Sequence, residues 1–282
     1  MVNLVLGTAQ LGLDYGVTNS YGRPSDSEAA SILQIARRSN IATIDTAAAY
    51  GDSESRLGES GFSSEFDIIS KFHSIPGQNF LIEPHLKLLK LQSISGMLFH
   101  NASQIASKTG QHNLNELRAL KNEGRVSKIG FSAYQIDEIE GALEHFSDPD
   151  IIQIPSHALD LRALDSRILN EMASNGVEIH VRSVFLQGLL LAQPSNILEG
   201  KYSFLIDTIR KIQEKAENTN QSIMQFLFNQ IRNHANVSSI VIGANNSHEL
   251  RQIVNAWNSP IVQAERIHHD LNYQDLDPRN WK

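Results

Sequence analysis

The feature that most constrains this chain is a rhythm. Eight short apolar runs recur along its 282 residues, separated by stretches with helical spacing. The pattern predicts strands over Leu4–Thr8, Ala42–Asp45, Phe66–Lys71, Ser95–His100, Lys128–Ser132, Ile151–Ile154, Glu178–Val181 and Ser239–Ile242. These runs are mostly continuous rather than alternating, as expected of strands covered on both faces by helices. Between them, Ser25-Asp26-Ser27-Glu28 is a capping box followed by Ala29, Ile32, Leu33 and Ala36 on one face. Leu114, Leu117 and Leu120 mark a helix ending near Gly124, and Ile136, Ile139 and Leu143 mark another. Ile168, Leu169 and Met172, then Leu250, Ile253, Val254 and Trp257, repeat the spacing.

Eight strand–helix units without a break in composition predict an α/β fold, a single (β/α)8 TIM barrel, for which about 250 residues are typical. A doubly wound open sheet is the alternative. It would carry a glycine fingerprint after its first strand, and Gly7-Thr8-Ala9-Gln10-Leu11-Gly12 has only part of one. The stretch from Gln193 to Ser203 holds Pro194, Ser195 and Gly200 but also Ile197 and Leu198. It reads as a loop after the seventh strand rather than an interdomain linker. One domain over residues 1–282 is expected, with a short C-terminal tail from about residue 260.

Composition removes several functions. Thirty-one acidic against 24 basic residues give a net charge of −7, which disfavours nucleic acid and anionic membrane surfaces. The longest apolar runs, such as Leu189–Ala192, are far below the roughly 20 residues that cross a bilayer. Met1-Val2-Asn3-Leu4 has no basic segment ahead of an apolar stretch, so no signal peptide is read and a cytoplasmic protein is expected. With no cysteine, disulfides, thiolate metal sites, iron–sulfur clusters and cysteine nucleophiles are excluded. The histidines form one adjacent pair, His268-His269, with no His-x-His or His-Glu-x-x-His, so no metal is expected. Gly-x-Ser-x-Gly is also missing.

In a barrel of this kind the chemistry sits at the C-terminal strand ends. Reading only those ends gives Asp45, Lys71 and His100, each about one βα unit from the next. Tyr50 lies in the short loop beyond Asp45, able to fold its phenol over the barrel mouth. The set reads as a device for donating a proton at neutral pH. A free phenol has a pKa of about 10. An ammonium about 4 Å away favours phenolate by roughly 4 kcal/mol at an effective dielectric near 20. Lys71 would supply that charge, Asp45 would hold Lys71 protonated, and a neutral His100 would hydrogen-bond the substrate oxygen.

The segment Asp45-Thr46-Ala47-Ala48-Ala49-Tyr50-Gly51-Asp52-Ser53-Glu54, the Lys71 and His100 strand ends and Gly130-Phe131-Ser132 together resemble the aldo-keto reductase family. Gln153-Ile154-Pro155, Phe185–Leu190 and Ile240–Ala244 extend the resemblance, in order, over nearly the whole chain. It implies a reductase of aldehydes or ketones with Asp45, Tyr50, Lys71 and His100 as the catalytic four. The implied cofactor is a nicotinamide nucleotide, usually NADPH, extended across the barrel mouth. Ser132 and Gln153 would hold its carboxamide. Backbone N–H groups from Ser183 through Leu186, Gln187 and Gly188 would meet the pyrophosphate. Gly243, Ala244 and Asn245 would lead into a helix whose N-terminus favours an adenosine-side phosphate.

Four departures stand out. Ala133 replaces a common Asn, and Arg182 stands where an aromatic ring often stacks, although a guanidinium can also stack as a plate. Asn245 replaces an Arg that reads the 2′-phosphate in many relatives, which weakens NADP against NAD. Glu249 stands near the usual Gln. The expected partner is a small carbonyl compound. Gln10, Tyr15 and His157, with Asp14 and Asp160, read as substrate-facing residues suited to a sugar or sugar-derived carbonyl. Two other readings remain: a Schiff-base lyase using Lys71, and a nucleotide-binding regulatory subunit on the same fold.

Overall fold

The computed structural model describes residues 2–196 and 200–281. Ile197 and Leu198, part of the expected loop after the seventh strand, lie outside the described residues. Eight parallel strands close into a barrel in chain order. They are Asn3–Gly7 (β1), Thr43–Asp45 (β2), Asp67–Phe72 (β3), Ile94–Phe99 (β4), Val126–Ser132 (β5), Ile151–Pro155 (β6), Glu178–Arg182 (β7) and Ser239–Ile242 (β8). β1 pairs with β8, Leu4 opposite Ile240, so no sheet edge is left. The open-sheet alternative is thereby excluded.

The strands sit within two residues of their expected bounds. Thr8 and His100 fall just past β1 and β4, yet their N–H groups still donate to Asp45 O and Phe72 O at 3.0 and 2.8 Å. Both ends thus stay fixed to the neighbouring strand. Alternation along the strands puts Ile69, Leu98 and Ile151 in one apolar layer inside the barrel. One step towards the C-terminal end, Asp45, Lys71 and Gln153 face the same interior. On the outside, Ile32, Leu33, Leu114, Leu117, Leu250 and Ile253 pack the helices onto the strands.

Helices Asp26–Arg38, Lys108–Asn122, Ile136–Leu143, Arg167–Ser174 and Ser247–Trp257 coincide with the periodic segments read from sequence. Ser53–Ser60 and Glu83–Leu89 cover β2 and β3. Two helices follow β7, Ile206–Asn218 and Ile223–Arg232. Together they build a second apolar cluster in which Leu186, Leu189 and Leu190 meet Ile209, Ile212 and Phe226.

Beyond Trp257 the chain runs without regular structure to a short turn at Pro278–Asn280. This tail is tied down at both ends. Ile267 and Leu276 join the second apolar cluster, Arg266 pairs with Asp165 at 2.6 Å, and Arg279 pairs with Glu138 at 3.1 Å. Among the described residues, no helix is long and apolar enough to cross a membrane.

Candidate active site

Strand ends β2, β3 and β6 bring three polar side chains into one contact. Lys71 Nζ donates to Asp45 Oδ1 at 2.5 Å and to Thr46 O at 3.0 Å. Gln153 Nε2 donates to Asp45 Oδ2 at 2.8 Å. All three are buried, Lys71 to 1% exposure. Burial opposes the charge on Lys71. The Asp45 carboxylate, with Tyr50 beside it, outweighs that penalty and holds the ammonium above its ordinary pKa.

Tyr50 stands over this group, with Lys71 Nζ 5.1 Å from its ring centre. The loop that carries it is held from below. Ser53 Oγ donates to Thr8 Oγ1 at 2.7 Å and lies 3.2 Å from Thr46 Oγ1. Gly12 allows the β1 and β2 loops to touch, since a Cβ there would fall 1.7 Å from Tyr50 O. Arg56 spans both loops, donating to Leu11 O and to Pro24 O. Glu54, the last residue of the motif, faces away from the mouth. It accepts from Ser70 Oγ at 2.5 Å and meets His85 Nδ1 at 2.8 Å, bracing the Ser53–Ser60 helix against β3.

His100 closes the other side, edge-on to Tyr50 at 5.8 Å and stacked on His73 at 4.5 Å. Burial first, then Lys71, His73 and Arg182, depress its pKa to about 3. It is a neutral imidazole at any working pH, with Nδ1 buried and unpartnered.

These residues line one cavity of about 360 Å³ at the C-terminal mouth. Asp45, Tyr50, Lys71, His100, Ser132, Gln153, Arg182, Ser183, Gln187, Gly188, Gly243, Asn245, Glu249, Gln10 and Tyr15 all reach it. Three expected residues do not. His157 is buried beside the cavity, its Nδ1 accepting from Leu159 N–H at 3.3 Å, and borders a smaller space near the tail. Leu186 is turned into the second apolar cluster, and Ala244 packs into the main core. Asp160, engaged by Arg162 at 2.7 Å, and Asp14, which accepts from Asn19 Nδ2 at 3.2 Å, are absent from the lining as well. Gln10 leans on Gly243, on the β8 side, so the polar set expected for a sugar is not assembled around Tyr50.

Two anion-binding expectations need correction. The Leu186 and Gly188 N–H groups are spent inside their own loop, on Ser183 O and Phe185 O at 2.8 and 2.9 Å. At the N-terminus of helix Ser247–Trp257, Asn245 N–H donates to Glu249 Oε2 at 2.7 Å and Ser247 N–H to Glu28 Oε1 at 2.5 Å. Protein carboxylates already bind the donors expected to meet a phosphate. The capping box is correspondingly half made. Ser25 caps Glu28 N–H at 3.2 Å, but the Glu28 carboxylate reaches across to Ser247.

Sequence reading missed Tyr134. It lines the cavity directly beyond Ser132-Ala133, with Arg182 4.3 Å and Arg279 of the tail 4.1 Å from its ring centre. Its place two residues past a matched strand end was the available signal. Arg182 also donates to Ala133 O at 3.2 Å, so the expected plate is fixed from both sides. The residues present suit a nicotinamide nucleotide. Gln153 Oε1 and Asn245 Oδ1 are buried acceptors without partners, at places expected to meet its two ends.

Comparison with known proteins finds the same fold. The chain matches solved structures of an assigned aldo-keto reductase from Pseudomonas aeruginosa (25% identity, TM-score 0.65, 90% of this chain and 88% of that one). It also matches the holo form of an aldo-keto reductase from Bacillus halodurans (19%, 0.74, 92% and 88%). A third match is a thermostable aldo-keto reductase in complex with the inhibitor epalrestat (21%, 0.67, 97% and 92%). No curated protein matches in sequence. The model of the Aldo/keto reductase family matches residues 3–268, almost the whole barrel and the start of the tail. With the closed barrel and the strand-end residues in that order, the chain belongs to the aldo/keto reductase family of oxidoreductases.

Proposed function

We propose that the chain reduces an aldehyde or ketone at the expense of NADH or NADPH, with Tyr50 as the proton donor. The observation that carries this is the buried Lys71 ammonium beside the Tyr50 ring, clamped by Asp45, at the wall of a cavity that also offers the free acceptor of Gln153. A reduced nicotinamide bound there would supply the hydride for the carbonyl carbon. Ser132 and Gln153 would hold its carboxamide, and Arg182, fixed against Tyr134, would cover the ring region. Ser183, Gln187 and Gly188 would flank its pyrophosphate, and Asn245 and Glu249 its adenosine end.

The chain's own work is on the oxygen. Neutral His100 donates a hydrogen bond to it, which directs the carbonyl towards Tyr50. As the carbon is reduced, the Tyr50 O–H bond breaks and the proton joins the new alkoxide. The ammonium of Lys71 stabilises the phenolate left behind, and Asp45 keeps that ammonium charged. Tyr15 and Tyr134 border the space left for the carbonyl compound. The lyase reading fares poorly, because a Schiff-base lysine must be neutral to attack and Asp45 stabilises the charged form.

Tyr50→Phe tests the proposal. Turnover with a panel of aldehydes and ketones should fall by about 10²–10⁴-fold, the usual worth of a general acid. The affinity for reduced nicotinamide nucleotide, read by fluorescence titration, should stay unchanged. Near-native turnover by this variant would remove Tyr50 from the chemistry. Tight binding of NADPH or NADH by the native chain, never followed by oxidation, would favour a regulatory subunit instead.

A further inference from the structure

The β8 end of the cavity departs from what a phosphate needs. Loops after strands 7 and 8 of such barrels, with a helix N-terminus beside them, commonly bind phosphate through free backbone N–H groups. Here those donors are taken. Asn245 N–H is bound by the Glu249 carboxylate, Ser247 N–H by the Glu28 carboxylate, and Glu249 N–H by Asn246 Oδ1 at 2.8 Å. Glu249 lines the cavity, so its charge faces any ligand there. The Lys and Arg side chains among the described lining residues are Lys71 and Arg182, on β3 and β7. Arg251, on the same helix as Glu249, is exposed and outside the lining. Asn245 brings an uncharged amide to this end, with its Oδ1 buried and unpartnered.

The end therefore presents negative charge where a phosphorylated ribose would require positive charge. A carboxylate accepts hydrogen bonds from ribose hydroxyls, whereas a 2′-phosphate calls for Arg or Lys. Resting on the nicotinamide reading above, we propose that Glu249 and Asn245 accept from an unphosphorylated adenosine ribose, and that Glu28 and Glu249 exclude the 2′-phosphate. The enzyme is then selective for NADH over NADPH. Glu28 does so from 219 residues away in sequence, by pinning the helix start.

The test is binding, without turnover. Native protein is titrated with NADH and NADPH by fluorescence, and with ADP-ribose and its 2′-phosphate by calorimetry. The unphosphorylated member of each pair should bind at least about tenfold more tightly, with the gap narrowing as salt screens the carboxylates. Glu249→Gln keeps an acceptor but drops the charge, and should strengthen NADPH binding more than NADH binding. A circular dichroism spectrum checks that this variant is folded. Equal or tighter binding of the phosphorylated member to native protein overturns the selectivity while leaving the nicotinamide reading intact. Absence of binding by all four ligands overturns both.

Discussion

Lys71 shows what a single residue demands of this fold. An ammonium at 1% exposure is tolerable only because Asp45 and Thr46 O satisfy it, and Asp45 is in turn satisfied by Gln153. Removing one partner of a buried ion pair strands the other. Lys71→Met should lower the urea unfolding free energy by about 3–5 kcal/mol, whereas Tyr50→Phe, at a half-buried loop position, should lower it by less than about 1 kcal/mol. Equal stabilities would mean that water reaches Asp45. At this scale the site was partly legible. Asp45, Lys71 and His100 could be read because a strand end in a barrel has only one place to point. His157 and Leu186 could not, because their orientation depends on a tail and a loop whose packing has no periodic signature.

Elements add the second layer. The loop after β7 holds Ser183, Leu186 and Gln187 at φ +65°, +49° and +54°, ahead of Gly188 at +91°. Left-handed non-glycine residues are strained, and clustering at a cavity wall links that strain to the site. The loop after β1 closes on it, with Thr18 Oγ1 donating to Gln187 O at 3.4 Å. A Cβ at Gly188 would lie 2.0 Å from Thr18 Oγ1, so Gly188→Ala must open this clasp. The variant should lose about 1–2 kcal/mol of stability, and the Michaelis constant for the nicotinamide nucleotide should rise while kcat changes little. A fall in kcat alone would mean that the clasp serves the chemistry rather than the cofactor. Strands were legible within two residues and five of the helices by their spacing, since apolar runs and helical spacing are local signals. The helix N-terminus after β8 was misread for the opposite reason. Its first donor, Ser247 N–H, is claimed by Glu28, a residue whose local sequence advertises a cap of its own.

The molecule as a whole carries its buried imidazoles as a liability in acid. His157, 4% exposed, accepts a backbone N–H at Nδ1 and so must be neutral there, and burial pushes its pKa down to about 4. His100 is held at about 3, by burial and then by Lys71, and burial lowers His234 in the same direction. Each has a folded pKa below the unfolded value of 6.5. Between those values the unfolded chain binds more protons, so stability is fully present above pH 6.5 and is lost as pH falls. For His157 alone the shift corresponds to about 3 kcal/mol. Glu178, depressed to about 2 chiefly by its bond to His180, adds to the loss only below its unfolded value of 4.5. Urea titrations at intervals from pH 7 to pH 4 should therefore show unfolding free energy declining well before the carboxylates titrate. His157→Gln, which keeps an acceptor for Leu159 N–H but cannot be protonated, should flatten that slope. An unchanged slope in the variant would assign the acid sensitivity to other groups and leave His157 without a part in it.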